Sequence, residues 1–203
     1  MKRQADRVAK KGKLFVISAP SGSGKTTLCR KLIRSFSGKR KLVRSISVTT
    51  RRRRSGERGG GDYFFISRGE FIKRRKRRQF LEWAGVLGNY YGTPRAFVQR
   101  HINQGNDVLL SIDVQGALKI KRMVRRARRP SAIFIFILPP SFGELERRLR
   151  RRSTESRAEI ARRLKFAKSE MCFVKEYNYA VLNDKISRAL ARLKEIIRRE
   201  REE

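Results

Sequence analysis

The residues best suited to chemistry stand together at positions 18–27, SAPSGSGKTT. A short apolar run, 14–17, precedes them, and a helix-like pattern begins near Thr27. Strand, glycine-rich turn, then Lys-Thr-Thr opening a helix is the setting of a phosphate-binding loop. Gly22 and Gly24 let the backbone turn tightly, so that successive N–H groups converge on one anion. The helix that follows adds its free N–H groups and the positive end of its dipole. Lys25 has the reach to meet β- and γ-phosphates, and the Thr26 hydroxyl has the chemistry of a Mg²⁺ ligand. Ala19, followed by Pro20, stands where such loops commonly open on glycine. A turn that is glycine-rich by chance would need neither the strand before it, nor the helix after it, nor Lys-Thr at this offset.

These residues need a scaffold, and the rest of the chain supplies its pattern. Residues 14–18 read as a buried strand and 26–35 as a helix closed by Ser37-Gly38. A strand is expected over 42–48, then a polar loop rich in arginine and glycine, 47–65. Short strands near 63–66 and 80–83 and a turn at 88–93 surround a helix over 68–78. Pro94 suits the first position of a helix reaching about Gln104. From there strands and helices alternate. A buried strand over 107–113 ends in an acid, and a helix follows over 115–126. A β-rich run over 131–138 is stopped by Pro139-Pro140. A helix over 141–150 opens on a Ser141/Glu144 capping box, and one from Ser156 to about Phe173 opens on a Ser156/Glu159 box. A strand over 179–182 and a helix over 185–202 close the chain. Alternation of this kind predicts an α/β fold, a parallel sheet covered by helices on both faces. Residues 37–93 break the rhythm and read as a small mixed lobe inserted into one domain. The basic loop 150–156 is a candidate lid.

Composition excludes several classes. With 39% apolar residues in 203, the chain can bury a real core. Its longest apolar run, 132–138, is far too short to span a bilayer. The basic N-terminus is followed by too few apolar residues for a signal peptide. Cys29 and Cys172 have no metal-ligand spacing, so two free thiols in a reducing cytoplasm are expected. The net charge of +35 is far more than a nucleotide pocket needs. The excess reads as solvated surface in preference to a selected polyanion site, because aromatic residues are not interleaved with the basic runs. Weak, non-specific nucleic-acid binding is the expected by-product.

Four ordered stretches carry a resemblance: SAPSGSGKTT, SVTTRRRRSGERGGGDYFF, FLEWAGVLGNYYGTP and LSIDVQGA. The chain resembles the guanylate kinases, P-loop nucleoside-monophosphate kinases, over nearly its whole length. RRLRRRSTESRAEIARRL, 147–164, is similar to the family's lid. The resemblance implies a core of about 14–36 and 94–203, a GMP-binding lobe of about 37–93 and a lid of about 141–165. It implies that Ala19, Pro20, Ser21, Gly22, Ser23, Gly24, Lys25, Thr26 and Thr27 bind ATP, with Asn183 approaching the adenine. It places Ser47, Arg51, Arg54, Tyr63, Glu82, Tyr91, Thr93 and Asp113 at the GMP. It makes Arg148, Arg152 and Arg163, with Lys25 and Arg51, the cations that meet the phosphates on closure. Mg²⁺ is the implied cofactor, on Thr26 and, through water, on Asp113. The expected reaction is phosphoryl transfer from ATP to GMP in the cytoplasm.

Physical arguments support parts of this separately. Arg51 and Arg54, three apart in a glycine-rich loop, suit a forked grip on a phosphate, whereas Arg52 and Arg53 read as solvated charge. Tyr63 and Tyr91 are equally readable as half-buried strand residues. Glu82 is an acid in an apolar run, and its plain alternative is a pleat position facing water. Ser111 stands where the family often has an acid, and Arg151 and Ser153 where its lid often has glycine. His101 receives no role. A related kinase for a phosphorylated sugar would lack Ser47, Glu82 and Thr93. A non-catalytic interaction module would have lost Lys25 or the loop glycines.

Overall fold

The computed structural model describes residues 11–127, 132–150 and 157–203. Its strands are β1 (Leu14–Ser18), β2 (Leu42–Arg44), β3 (Val48–Thr49), β4 (Phe64–Phe65), β5 (Phe80–Val86), β6 (Asn89–Pro94), β7 (Asp107–Ser111), β8 (Ala132–Leu138) and β9 (Tyr179–Leu182). Its helices are α1 (Lys25–Arg34), α2 (Arg68–Lys76), α3 (Arg95–Asn103), α4 (Val114–Arg126), α5 (Phe142–Arg150), α6 (Arg157–Met171) and α7 (Ile186–Glu202).

β1 is buried at every position. A strand with no polar face needs cover on both sides, which a central parallel strand receives. Among the described residues it lies in a five-stranded sheet of order β2-β7-β1-β8-β9, with every pairing parallel. Side chains alternate across it. Phe15 and Ile17 enter a core with Leu28 and Leu32 of α1 and Leu193 and Ile196 of α7. Leu14 and Val16 enter the opposite core with Val98 of α3 and Ile120 of α4. Each large apolar side chain so buried contributes about 1.5–3 kcal/mol. The sheet therefore holds the C-terminal ends of β1, β2 and β7 at one edge, where open α/β sheets bind ligands.

Asp107 fixes the start of β7 from below. It is fully buried, accepts from the Lys13 N–H at 2.7 Å, and pairs with Arg40 and Arg201, each at 2.7 Å. A buried carboxylate paired this fully is tolerated, whereas an unpaired one is expelled.

The second sheet, of order β4-β3-β6-β5 among the described residues, is mixed: β3 and β4 are parallel, and β3–β6 and β6–β5 antiparallel. Its own core is Val48, Phe71 and Phe80, with the last two rings stacked at 4.6 Å. Leu87 and Gly88 turn the β5–β6 hairpin, both with positive φ, as a tight hairpin of this hand requires. Ser67 caps α2 by accepting from the Glu70 N–H at 3.2 Å.

The strand expected over 42–48 is two strands. Leu42–Arg44 pairs with β7 in the large sheet, and Val48–Thr49 pairs in the small one. The apolar alternation runs through a crossing point, where Ser45 and Ile46 carry the chain from one sheet to the other. The first strand of the small sheet accordingly starts at Val48. Pro94 is the N-cap of α3, one position before its first turn. Ser141 caps α5, accepting from the Glu144 N–H at 3.1 Å, but the Glu144 carboxylate pairs with Arg148 instead of returning to the cap. The Ser156 box lies outside the described residues.

Candidate functional site

The turn after β1 is built from backbone. Gly22 and Gly24 have φ of 93° and 82°, the left-handed region that glycine alone enters freely. A side chain would be crowded at both positions, most severely at Gly24. A Cβ on Gly24 would stand 2.5 Å from Nδ2 of Asn183, and one on Gly22 3.1 Å from Cδ1 of Leu145. Ser23 N–H donates back to the Pro20 carbonyl at 3.1 Å, and Asn183 Nδ2 donates to the Ser23 carbonyl at 2.7 Å. The loop is thus pinned from behind, with its open side toward a cleft of about 740 Å³. Ala19, Pro20, Ser21, Gly22, Gly24, Lys25, Thr26 and Thr27 line that cleft.

Lys25 reaches across the sheet edge, its Nζ donating to the Ile112 carbonyl at 2.6 Å. Burial lowers its pKa, and the carboxylates of Glu170 and Asp113 act against that fall. Asp113 caps α4, Oδ1 accepting from the Gly116 N–H at 3.1 Å, and lines the cleft too.

The opposite wall comes from the small sheet and its loop. Ser47, Arg51, Arg54, Tyr63, Glu82 and Tyr91 all line it. Arg51 pairs with Glu57 at 2.7 Å, and the other oxygen of Glu57 accepts from the Arg54 N–H at 2.8 Å. The Arg51 guanidinium lies 5.4 Å from the Tyr63 ring, and the Tyr63 and Tyr91 rings are 6.0 Å apart, edge to face. Glu82 is 7% exposed, so it is no pleat residue facing water. Its Oε1 accepts from the Thr93 hydroxyl at 2.6 Å, and its Oε2 has no partner among the described residues. Burial pushes its pKa up to about 7. A buried carboxyl with one oxygen unanswered is costly in the empty protein and is matched to a donor from elsewhere.

A third boundary is α6. Arg163, Phe166 and Glu170 line the cleft, and Arg163 Nη1 donates to the Ser21 hydroxyl at 3.2 Å.

Phosphate-binding backbone on one wall and paired arginines, tyrosines and a buried acid on the other describe a two-substrate pocket. The sequence profile described as guanylate kinase matches residues 11–200. The chain belongs to the guanylate kinase family. It is 48% identical over 190 residues to the guanylate kinase of Caldanaerobacter subterraneus subsp. tengcongensis, covering 94% of this chain and 88% of that one. With the guanylate kinase of Thermotoga maritima it shares 44% identity over 191 residues, again 94% and 88% of the two chains. The crystal structure of guanylate kinase from Anaplasma phagocytophilum superposes with a TM-score of 0.77 at 36% identity, covering 94% of this chain and 87% of that one.

Not every residue that the family likeness nominates stands at the guanylate kinase cleft. Asn183 is 1% exposed, donates to the Ser23 carbonyl from behind the loop and does not line the cleft. Ser23 is likewise buried. Thr93 donates its hydroxyl to Glu82 and so orients the acid. Arg148 pairs with Glu144 at 2.7 Å on α5 and does not line the cleft. Arg152 lies outside the described residues. Sequence reasoning missed Glu57, Arg44 and Glu170, which all line the cleft. Glu57 had a signal, an acid set among the arginines of 51–58. Glu170 had none, because an acid in a charged helix reads as solvent-facing until the helix is packed.

Donors for a metal fit Mg²⁺ carried by a nucleotide. Thr26 and Asp113 line the same cleft, and no group of three or more His, Cys, Asp or Glu among the described residues could hold an ion alone. Mg²⁺ commonly takes one or two protein ligands and fills its shell with water and phosphate oxygens. Among the described residues no helix is long and apolar enough to cross a membrane.

Proposed function

We infer that this cleft transfers the γ-phosphoryl group of ATP to GMP, giving ADP and GDP. The observation that carries the assignment is the single cleft with the glycine loop on one wall and Arg51, Arg54, Tyr63 and Glu82 on the other. ATP lies on the loop, its β- and γ-phosphates in the N–H groups of 22–27 and against Lys25. Thr26 and, through water, Asp113 would hold Mg²⁺, which would supply neutralisation of the phosphate charge. Arg51, Arg54 and Tyr63 hold the phosphate of GMP, and Tyr91 and Ser47 complete that wall. Glu82 accepts from N1–H and the exocyclic amine of guanine side by side, and Thr93 keeps its carboxylate turned to do so.

A GMP phosphate oxygen then attacks the γ-phosphorus in line. The bond to the β,γ-bridging oxygen breaks, and the electron pair stays on ADP. No general base is needed at an oxygen that is already anionic. Lys25, Arg51 and Arg163 stabilise charge on the transferring group, most strongly in the transition state. Closure of α6 and of the small sheet excludes water that would otherwise hydrolyse ATP.

ADP release measured with GMP, with AMP and without acceptor tests the assignment. GMP should support turnover far above the other two, and equal rates in all three would reject it. The basic surface adds a weaker reading, namely non-specific nucleic-acid binding through many phosphate contacts.

A further inference from the structure

The stretch LSIDVQGA holds a glycine, Gly116, to which the mechanism above gives no task. It is buried in the first turn of α4, and its N–H donates to the capping Asp113 at 3.1 Å. Alanine favours a helix more than glycine does, because glycine loses more backbone freedom on folding. The backbone does not ask for glycine here, since φ at 116 is not positive. What asks for it lies across the boundary between the two sheets. A Cβ at 116 would stand 2.6 Å from Oε2 of Glu82 and 3.1 Å from its Cδ. Oε2 is the oxygen without a partner among the described residues, while Oε1 is held by the Thr93 hydroxyl at 2.6 Å. The carboxyl group thus lies between Thr93 of β6 and the bare backbone of α4. One turn further along the same face of α4, Lys119 Nζ donates to the Trp83 carbonyl at 2.5 Å and sits 4.5 Å from the centre of the Trp83 ring. Trp83 directly follows Glu82, so α4 also grips β5 beside the acid.

We propose that Gly116 is a positioning residue for base selection: by carrying no side chain it leaves room on α4 for the Glu82 carboxylate, and so sets that group against Thr93 in the orientation that reads guanine. The proposal rests on the reading of Glu82 as the acceptor for guanine. The obstacle that a methyl at 116 would meet is the free end of a side chain, which moves at little cost to the fold. The same movement damages recognition. With Lys119 holding β5, a carboxylate pushed off α4 gives up the Thr93 hydroxyl or advances into the space of the base. A misplacement of about 1 Å in a positioned site can cost on the order of a hundredfold. AMP has no donor pair for the acid, so its constant should hardly move. Selectivity lost while stability is kept is therefore the signature, and a glycine needed only for helix packing does not give it.

The test uses the full chain with Gly116→Ala, read by kcat/KM for GMP and for AMP, by MgATP affinity from calorimetry and by Tm. The GMP constant should fall about tenfold or more, chiefly through KM, with the AMP constant and MgATP affinity within about twofold and Tm within a few degrees. Glu82→Ala supplies the control. With the carboxylate gone the added methyl has nothing to displace, so Gly116→Ala in that background should change the GMP constant by less than about twofold, the non-additivity expected of residues in contact. An unchanged GMP-to-AMP ratio in Gly116→Ala, equal losses for the two nucleotides, or a loss that persists in full without Glu82 would each overturn the proposal. If Gly116→Ala alone does not fold, the double variant should, with a Tm no lower than that of Glu82→Ala, because the methyl then occupies vacated space. A double variant that is also unfolded counts against the idea. The reading beneath the proposal is separately visible. A ratio that survives Glu82→Ala rejects Glu82 as the guanine acceptor and the proposal with it, whereas a ratio lost in Glu82→Ala and kept in Gly116→Ala rejects the proposal alone.

Discussion

The two walls of the cleft are made in different ways. The donor wall is one contiguous stretch, shaped by main chain: two glycines with positive φ, a bond from Ser23 to Pro20, and Asn183 behind. The acceptor wall is assembled from three separate elements, the β3–β4 loop, β5 and β6, and shaped by side chains that hold one another: Thr93 on Glu82, Glu57 on Arg51 and Arg54, Tyr63 against Tyr91. Backbone presents the same N–H groups to any polyphosphate, so the donor wall reads charge and shape. Oriented side chains present a specific pattern, so the acceptor wall reads identity. Damage to the two should therefore differ in kind.

The largest effect is expected at the one donor-wall side chain that meets transferring charge. Lys25→Ala should cost about a hundredfold or more in kcat with the circular dichroism spectrum unchanged; near-normal turnover of the purified variant would show that the loop is not the active site. Next comes the loop's own shape. Gly24→Ala forces a Cβ into a left-handed conformation, at about 1–2 kcal/mol, and into Asn183. MgATP affinity should fall about tenfold while GMP affinity stays within about twofold. Equal losses of both would erase the distinction between the walls.

The acceptor wall has an electrostatic cost of its own in the empty protein. Glu82 titrates at about 7 in the folded chain, against 4.5 for an unperturbed glutamate. Its raised pKa means that the folded state holds a proton the unfolded state releases. Its favourable contribution is therefore full below about pH 4.5 and lost as pH rises through about 7. Glu82→Gln should accordingly stabilise the empty protein at pH 8, by about 1–3 kcal/mol, and the gain should vanish near pH 4.5. A Tm difference that does not change with pH would mean that Glu82 is solvated. The smallest effect belongs to neither wall. Binding to duplex DNA should be weak, indifferent to sequence and lost steeply with salt, while kinase turnover outlasts it. A sequence-specific complex that survives high salt would assign the +35 charge a second role.

The contrast between the walls also decides what can be read from the sequence. The donor loop is legible because its function lives in one run of residue types whose backbone demands are local. The parallel sheet is legible from alternating apolar runs. Family likeness nominates Glu82, Arg51 and Tyr63, but it does not reveal Thr93 holding Glu82, because the two meet only when β5 and β6 pair. Nor does it reveal that Asn183 braces the loop through the Ser23 carbonyl, a contact set up by the parallel pairing of β8 and β9. The division of 42–48 between two sheets is hidden for a similar reason: hydrophobic alternation reports burial, and both sheets bury that segment. Glu57 bonds Arg51 and Arg54 through contacts invisible to periodicity, and Glu170 reaches the cleft only once α6 is packed.

The central claim, that this cleft selects guanine through a buried carboxylate, is tested most directly by the ratio of kcat/KM for GMP to that for AMP, in wild type and in Glu82→Gln. Adenine lacks the amine that Glu82 would receive and sets an acceptor at N1 against it, and sites built around such a donor reject analogues lacking it by up to about 10⁴. The wild type should favour GMP by orders of magnitude, and the variant should lose most of that preference through its GMP constant, with MgATP affinity near normal. An unchanged ratio in Glu82→Gln would contradict the account and place the reading of the base elsewhere in the cleft.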